Sequence, residues 1–203
     1  MQADQIIVLL TIAASASFTP GPNNALLAAS GAIHGFRATF PHIAGITVGF
    51  PLMITFVGLF LGEIFQQSGE LQVFVQVVGV AILLWMAWKT ASAGPAGKAQ
   101  GRKPFTFWQS AAFQWINPKG WTFAIGVTSQ FVDPMAPFLT AAICGTAFMF
   151  VGLGSAFSWV FAGKAMTRLL TTNTRWRAFN VTMGLLIAFS VLLLFVGGDT
   201  LNT

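Results

Sequence analysis

Two short stretches hold most of the residues able to do chemistry in this chain: Pro20-Gly21-Pro22-Asn23-Asn24 and Asn117-Pro118-Lys119-Gly120. Proline removes a backbone donor and glycine loosens the chain, so each stretch interrupts a helix that contains it. An interrupted helix ends in free carbonyls and restarts with free N–H groups. Proline suits the first turn of a restarted helix, and Asn117 before Pro118 is a candidate N-cap. The restarted ends favour an anion, and the terminated ends favour a cation or ammonium. Together they suit a small zwitterion, its carboxylate on N–H groups and its ammonium on carbonyls and the side-chain oxygens of Asn23, Asn24 or Asn117. The bland alternative is a pair of ordinary proline kinks with no ligand.

Lys119 is the one charged residue placed deep in an apolar run. At the centre of a bilayer a lysine is unfavourable by roughly 3 kcal/mol. It is therefore a candidate for binding a carboxylate or carrying a proton. The structural alternative is that it snorkels or caps exposed carbonyls. His42 is the second proton-coupling candidate, against the plainer reading of a hydrogen-bonded structural histidine. No Asp or Glu falls within an apolar run, which disfavours a strongly cationic substrate. His34 and His42 are the only histidines and no acidic cluster occurs, so neither zinc spacing nor a divalent-cation site is present. No phosphate loop or nucleophile–base pair appears, so no enzyme and no cofactor are expected. Cys144 lies in an apolar run and, as the single cysteine, forms no intramolecular disulfide.

These groups need elements to position them, and the composition says which. Of 203 residues, ten are Lys or Arg and five are Asp or Glu; 55% are hydrophobic and mean hydropathy is +0.74. Charged residues make up 7%, against about 25% in soluble domains. A soluble globule could not bury so much apolar surface. The bilayer is the expected solvent. The high isoelectric point does not imply nucleic acid, because nine of the ten basic residues flank apolar segments rather than clustering on a soluble face. Asp4 stands where a cleaved signal would have a basic region, so the first apolar run is expected to be retained.

Six apolar segments are expected to span as helices, since lipid cannot satisfy open backbone groups. They run about Gln5–Ile33, Phe40–Leu61, Leu71–Trp88, Phe105–Val132, Pro137–Phe161 and Phe179–Val196. Arg37, Lys89, Lys98, Arg102, Lys103, Lys164, Arg168, Arg175 and Arg177 then fall on one side, and Asp4, Glu63, Glu70, Asp133 and Asp199 on the other. The positive-inside rule makes the basic side cytoplasmic and puts both termini outside. Pro20 and Pro118 lie about 98 residues apart, close to half the chain, and each break opens a group of three spans of opposite orientation. That is the layout of an inverted repeat: 1–92, a cytoplasmic linker 93–104, and 105–203, forming a single transporter domain. Both breaks fall near mid-bilayer, at roughly 22 Å and 18 Å of helix from their span starts at 1.5 Å per residue. Gly31/Gly35, Gly45/Gly49 and Gly58/Gly62 allow close helix packing, and such faces allow a homodimer. Gly152, Gly154 and Ser155 read as a hinge or packing notch. Trp85, Trp88, Trp108, Trp159 and Trp176 read as interface anchors.

Thr19-Pro20-Gly21-Pro22-Asn23-Asn24, His34-Gly35-Phe36-Arg37, Ala87-Trp88-Lys89 and Asn117-Pro118-Lys119 together resemble the LysE/RhtB family of amino-acid exporters. The resemblance covers nearly the whole chain. Pro22-Asn23-Asn24, the His-Gly-Phe-Arg run and Leu84-Trp85-Met86-Ala87-Trp88-Lys89 look most like the branch that exports cysteine and O-acetylserine. It implies proton-driven efflux of small amino acids through an inner membrane, with Pro20, Gly21, Pro22, Asn23, Asn117, Pro118 and Lys119 at the site. Gly49 is followed by Phe50 and Pro51 where many relatives have a polar residue, and Pro118 departs from the cysteine-exporting branch, so the substrate stays open. The expected protein is an all-α, six-helix secondary transporter in the plasma membrane, exporting small neutral amino acids or their derivatives. Its rivals are a non-transporting assembly subunit and a passive channel.

Overall fold

The computed structural model describes residues 1–61, 64, 67–93 and 103–198. Glu63, Lys98, Arg102, Asp199 and most of the expected linker lie outside the described residues. Seven α-helices and no strand occur among the described residues: α1 Ala3–Phe18, α2 Pro22–Phe56, α3 Gly69–Ala91, α4 Phe107–Ile116, α5 Pro118–Phe131, α6 Pro137–Met166 and α7 Asn173–Gly198. A π turn, Val57–Leu61, continues α2. Among the described residues, three helical stretches are long and apolar enough to cross a membrane by length and composition: Pro22–Phe60, which turns at Gly35, Gly69–Ala91 and Pro137–Met166. Large apolar side chains face outward on these helices, among them Phe56, Phe74, Val77 and Phe150. A belt of that kind marks a surface made for lipid.

The same local rule opens both breaks. A residue before proline is pushed out of the α region into extended backbone. Thr19, before Pro20, has φ −61° and ψ 132°, and Asn117, before Pro118, has φ −86° and ψ 107°. Helix then restarts with a proline at its first position in each case, Pro22 for α2 and Pro118 for α5. Gly21 is the N-cap of α2 and Asn117 the N-cap of α5, so the two breaks align Gly21 with Asn117.

Helix α2 is a hairpin of two helical arms rather than one rod. Gly35 has φ 76° and ψ 175°, a region that is essentially restricted to glycine. The Ser30 and Thr39 hydroxyl oxygens are 2.8 Å apart, whereas nine residues of straight helix span about 13 Å. Leu27 and Ile43, one on each arm, share a buried cluster with Ala156 and Val160 of α6. Thr39 also donates to the Gly35 carbonyl at 2.8 Å, tying the second arm to the turn.

Two larger cores flank the hairpin. One joins its first arm to α3, α7 and Phe113 of α4; the other joins its second arm to α1, α5 and α6. Glycines let these helices approach backbone to backbone. A Cβ on Gly31 or Gly163 would collide with the Val160 or Ala28 backbone, and one on Gly45 or Gly49 with the start of α4. The glycine pairs expected to serve helix association are thus occupied within the chain, apart from two members. Gly35 makes the turn, and nothing lies within 4 Å of the place a Cβ would take there; Gly62 lies outside the described residues. The tryptophans also divide. Trp85, Trp88 and Trp108 are exposed as anchors should be, but Trp176 is buried against Phe179, with ring centroids 6.3 Å apart, and Trp159 packs on the cores. The sequence misjudges these two because periodicity does not say which face of a helix end turns inward.

Candidate functional site

The breaks meet. The Lys119 ammonium donates to the Thr19 carbonyl at 3.3 Å, and its Nζ stands 2.9 Å from where a Cβ on Gly21 would be. Asn23, just after the first break, donates from Nδ2 to Gln114 Oε1 at 2.9 Å, and Gln114 Nε2 returns a longer bond to Asn23 Oδ1 at 3.4 Å. Gln114 is fully buried, one turn before the second break, and is steadied by donating to the Ser110 carbonyl at 2.8 Å. Each break therefore places a residue from its restarted helix against a residue from the terminated helix of the other.

The terminated end of α1 is largely saturated by the protein itself. Asn24 Nδ2 donates to the Ser17 and Thr19 carbonyls at 2.7 and 2.9 Å, and the Ser155 hydroxyl donates to Ser17 at 2.6 Å. The expectation that a ligand ammonium finds free carbonyls there is corrected: Asn24, Ser155 and Lys119 hold them. At the end of α4, the Trp121 indole N–H caps the Trp115 carbonyl at 2.8 Å.

The restarted ends differ. Asn117 Oδ1 accepts from the Lys119 backbone N–H at 3.2 Å and so caps α5. Gly21 has no side chain and α2 has no side-chain cap, which leaves the first-turn N–H groups for another acceptor. These groups and the Lys119 ammonium border one cavity. A carboxylate fits this junction, since a helix N-terminus and a lysine both favour negative charge.

The cavity has a volume of about 70 Å³, several times the ~10–15 Å³ one water needs. Gly21, Pro22, Asn23, Asn24, Asn117 and Lys119, all expected at the site, line it. Pro20 is exposed and Pro118 is packed against Gly79, so these two shape the breaks without bordering the cavity. His42 does not border it, lying one turn before Ile46 on the second arm. Gln114, Thr47, Phe50 and Ser155 line the cavity although the site reading from sequence omits them. Gln114 carried a signal: it is a polar residue inside an apolar segment, one turn from Asn117. It carries no charge, so it does not stand out in an apolar run as Lys119 does. Phe123 underlies the lysine, its ring centroid 5.9 Å from Nζ. No carboxylate lines the cavity, and no cluster of metal-binding side chains occurs among the described residues.

Apolar helices broken around one shared cavity, bordered by Lys119 and several amide side chains, fit a membrane translocator. The chain belongs to the LysE type translocator family, whose model matches residues 14–198. It is 28% identical to the cysteine/O-acetylserine efflux protein of Escherichia coli K12 over 181 residues, covering 88% of this chain and 91% of that one. The proteins of the same name from Shigella sonnei and Shigella flexneri match to the same extent. No solved structure matches.

Proposed function

We propose that this protein is a secondary transporter that exports small neutral, zwitterionic amino acids or their derivatives from the cytoplasm. The observation that carries this reading is the meeting of the two breaks around one cavity, with Lys119 and the uncapped α2 terminus on one side and the Asn23–Gln114 amide pair on the other. The substrate carboxylate takes the Lys119 ammonium and the first-turn N–H groups of α2. Its ammonium takes amide oxygens of Asn23, Gln114 or Asn117. The Lys119–Thr19 bond then breaks or lengthens as the ligand competes for the ammonium, which loosens one contact that holds the halves together.

The crossed contacts favour two inverted three-helix halves. Thr19 with Lys119 and Asn23 with Gln114 are approximate images of each other when the break at Gly21 is exchanged for that at Asn117. Rocking of such halves about a central site gives alternating access. The halves are 1–92 and 105–203, the basic loops are cytoplasmic, both termini are outside, and the membrane is the plasma membrane. The proton gradient drives efflux, with Lys119 or His42 carrying the proton. Relatives named for cysteine and O-acetylserine efflux make these two compounds the first substrates to test. Efflux of a panel of labelled amino acids from reconstituted vesicles, with and without a pH gradient, decides the matter. Saturable, gradient-stimulated efflux of a neutral amino acid is expected. Unsaturable conduction would make the protein a channel, and no flux of any panel member would leave the assembly-subunit reading.

A further inference from the structure

A second cavity, of about 370 Å³, lies at the far end of the α2 hairpin, near the Gly35 turn. It shares no lining residue with the central cavity. Its walls bring together His34 from the first arm, His42 from the second, Lys89 from the end of α3 and Lys103 from just before α4. No Asp or Glu lines it. Two lysines from separate elements converge there, with Lys89 Nζ held 4.3 Å above the Trp85 ring. Such a convergence sets up a local field that draws anions.

His42 is the unusual member. It is only 2% exposed, and neither ring nitrogen has a hydrogen-bond partner among the described residues. Its ring leans on Phe105, with centroids 5.1 Å apart. Buried polar groups are nearly always paired, and an orphan asks for an explanation. In either protonation state an imidazole has an N–H to donate. Here the residue lines a cavity whose described walls carry cationic side chains and no acid, and a small movement of the ring would present an N–H to it.

The two cavities lie along the same two arms of α2. His42, Ile46 and Phe50 follow one another at four-residue spacing on the second arm, which puts them on one face. His42 borders the outer cavity, and Ile46 and Phe50 the central one. On the first arm Asn23 borders the central cavity, and Leu26, Ser30 and Ile33, along the same stripe, border the outer.

We infer that the outer cavity is a vestibular subsite for the carboxylate of an amino acid, drawn in by Lys89 and Lys103 and accepting a hydrogen bond from His42 before passing to the central cavity. The onward passage rests on the proposed transport; the carboxylate site itself does not.

Cysteine reactivity tests it on the purified full-length protein without any transport. Ile33→Cys, and independently Leu26→Cys, place a thiol on the cavity wall, while the parent protein with only its buried Cys144 serves as the blank. A negatively charged methanethiosulfonate is expected to modify the new thiol about tenfold faster than a positively charged one. Adding Lys89→Gln and Lys103→Gln should erase that preference. Acetate and O-acetyl-L-serine should each slow modification, and His42→Phe should remove that protection while the charge preference stays. Equal or faster reaction with the cationic reagent, or no protection by either carboxylate, would overturn the inference. Protection by phosphatidylglycerol vesicles but by neither carboxylate would overturn it too, in favour of a lipid-headgroup site. Protection that persists in a protein giving no efflux would sink the transport reading and leave the carboxylate site standing.

Discussion

Gly21 and Lys119 face each other across the two breaks, and the roles of both depend on the space between them. The Gly21 backbone is extended, with φ −174°, so alanine is conformationally acceptable there. A methyl group would instead sit 2.9 Å from the lysine Nζ, and the flexible end of that side chain would swing away. Gly21→Ala is therefore expected to reach the membrane at wild-type levels and to lose most of its export, as read by protein-normalised efflux. Lys119→Ala and Asn23→Ala should abolish export and leave the protein in the membrane. A charge-assisted hydrogen bond is worth about 1.5–3 kcal/mol, enough for a drop of tenfold or more. Gln114→Ala removes the fully buried amide that pairs with half-buried Asn23 and leaves a void in its place, and a lost hydrogen bond of this kind costs about 0.5–1.5 kcal/mol. It should lower the unfolding midpoint in detergent as well as the export rate, whereas Gly21→Ala lowers only the rate. Lys119 was legible in the sequence because a charge in an apolar run is conspicuous. The partner it caps, Thr19, was not, because nothing local specifies a contact across 100 residues.

At the scale of elements, proline made the breaks readable. Thr19 and Asn117 are forced into extended backbone by the prolines that follow them, a rule of adjacent residues that holds in any fold. The hairpin turn was less readable. Gly35 sits four residues after Gly31, and small residues at that spacing read as a packing face. A reversal between Ile33 and Phe40 follows from the charge sorting, and the positive φ at Gly35 shows which residue makes it. Substituting it tests this directly. Gly35→Ala places a Cβ in a region open essentially to glycine, a strain of about 1–3 kcal/mol. It should destabilise the protein by that amount in a thermal or denaturant melt, although nothing crowds the position. Gly163→Ala should disturb a different contact. Its methyl group would meet the Ala28 backbone and force α2 and α6 apart, so loss of folded protein is the expected readout.

Over the whole molecule, an apolar exterior surrounds a cavity that lies where the two broken helices meet. The orientation proposed from the charge sorting puts the C-terminus outside, and a reporter fused there tests it: an external signal is expected, and a cytoplasmic one would invert the scheme. Interior glycines let α2, α4 and α6 pack closely beside the cavity. Gly31, Gly45, Gly49 and Gly163 each admit a neighbouring backbone where a side chain would not fit. The composition announced a membrane protein, since so few charges cannot coat a soluble globule. It could not say how the halves meet, because that depends on packing between residues far apart in the chain.

The claim on which the rest depends is that Lys119 and the first break together hold an amino acid. Equilibrium binding of labelled O-acetyl-L-serine and cysteine to the purified protein, wild type beside Lys119→Ala, tests it most directly. Saturable binding that weakens at least about tenfold in the variant, the loss of one charge-assisted hydrogen bond, is the expected result. Binding of equal strength in both proteins would contradict the account.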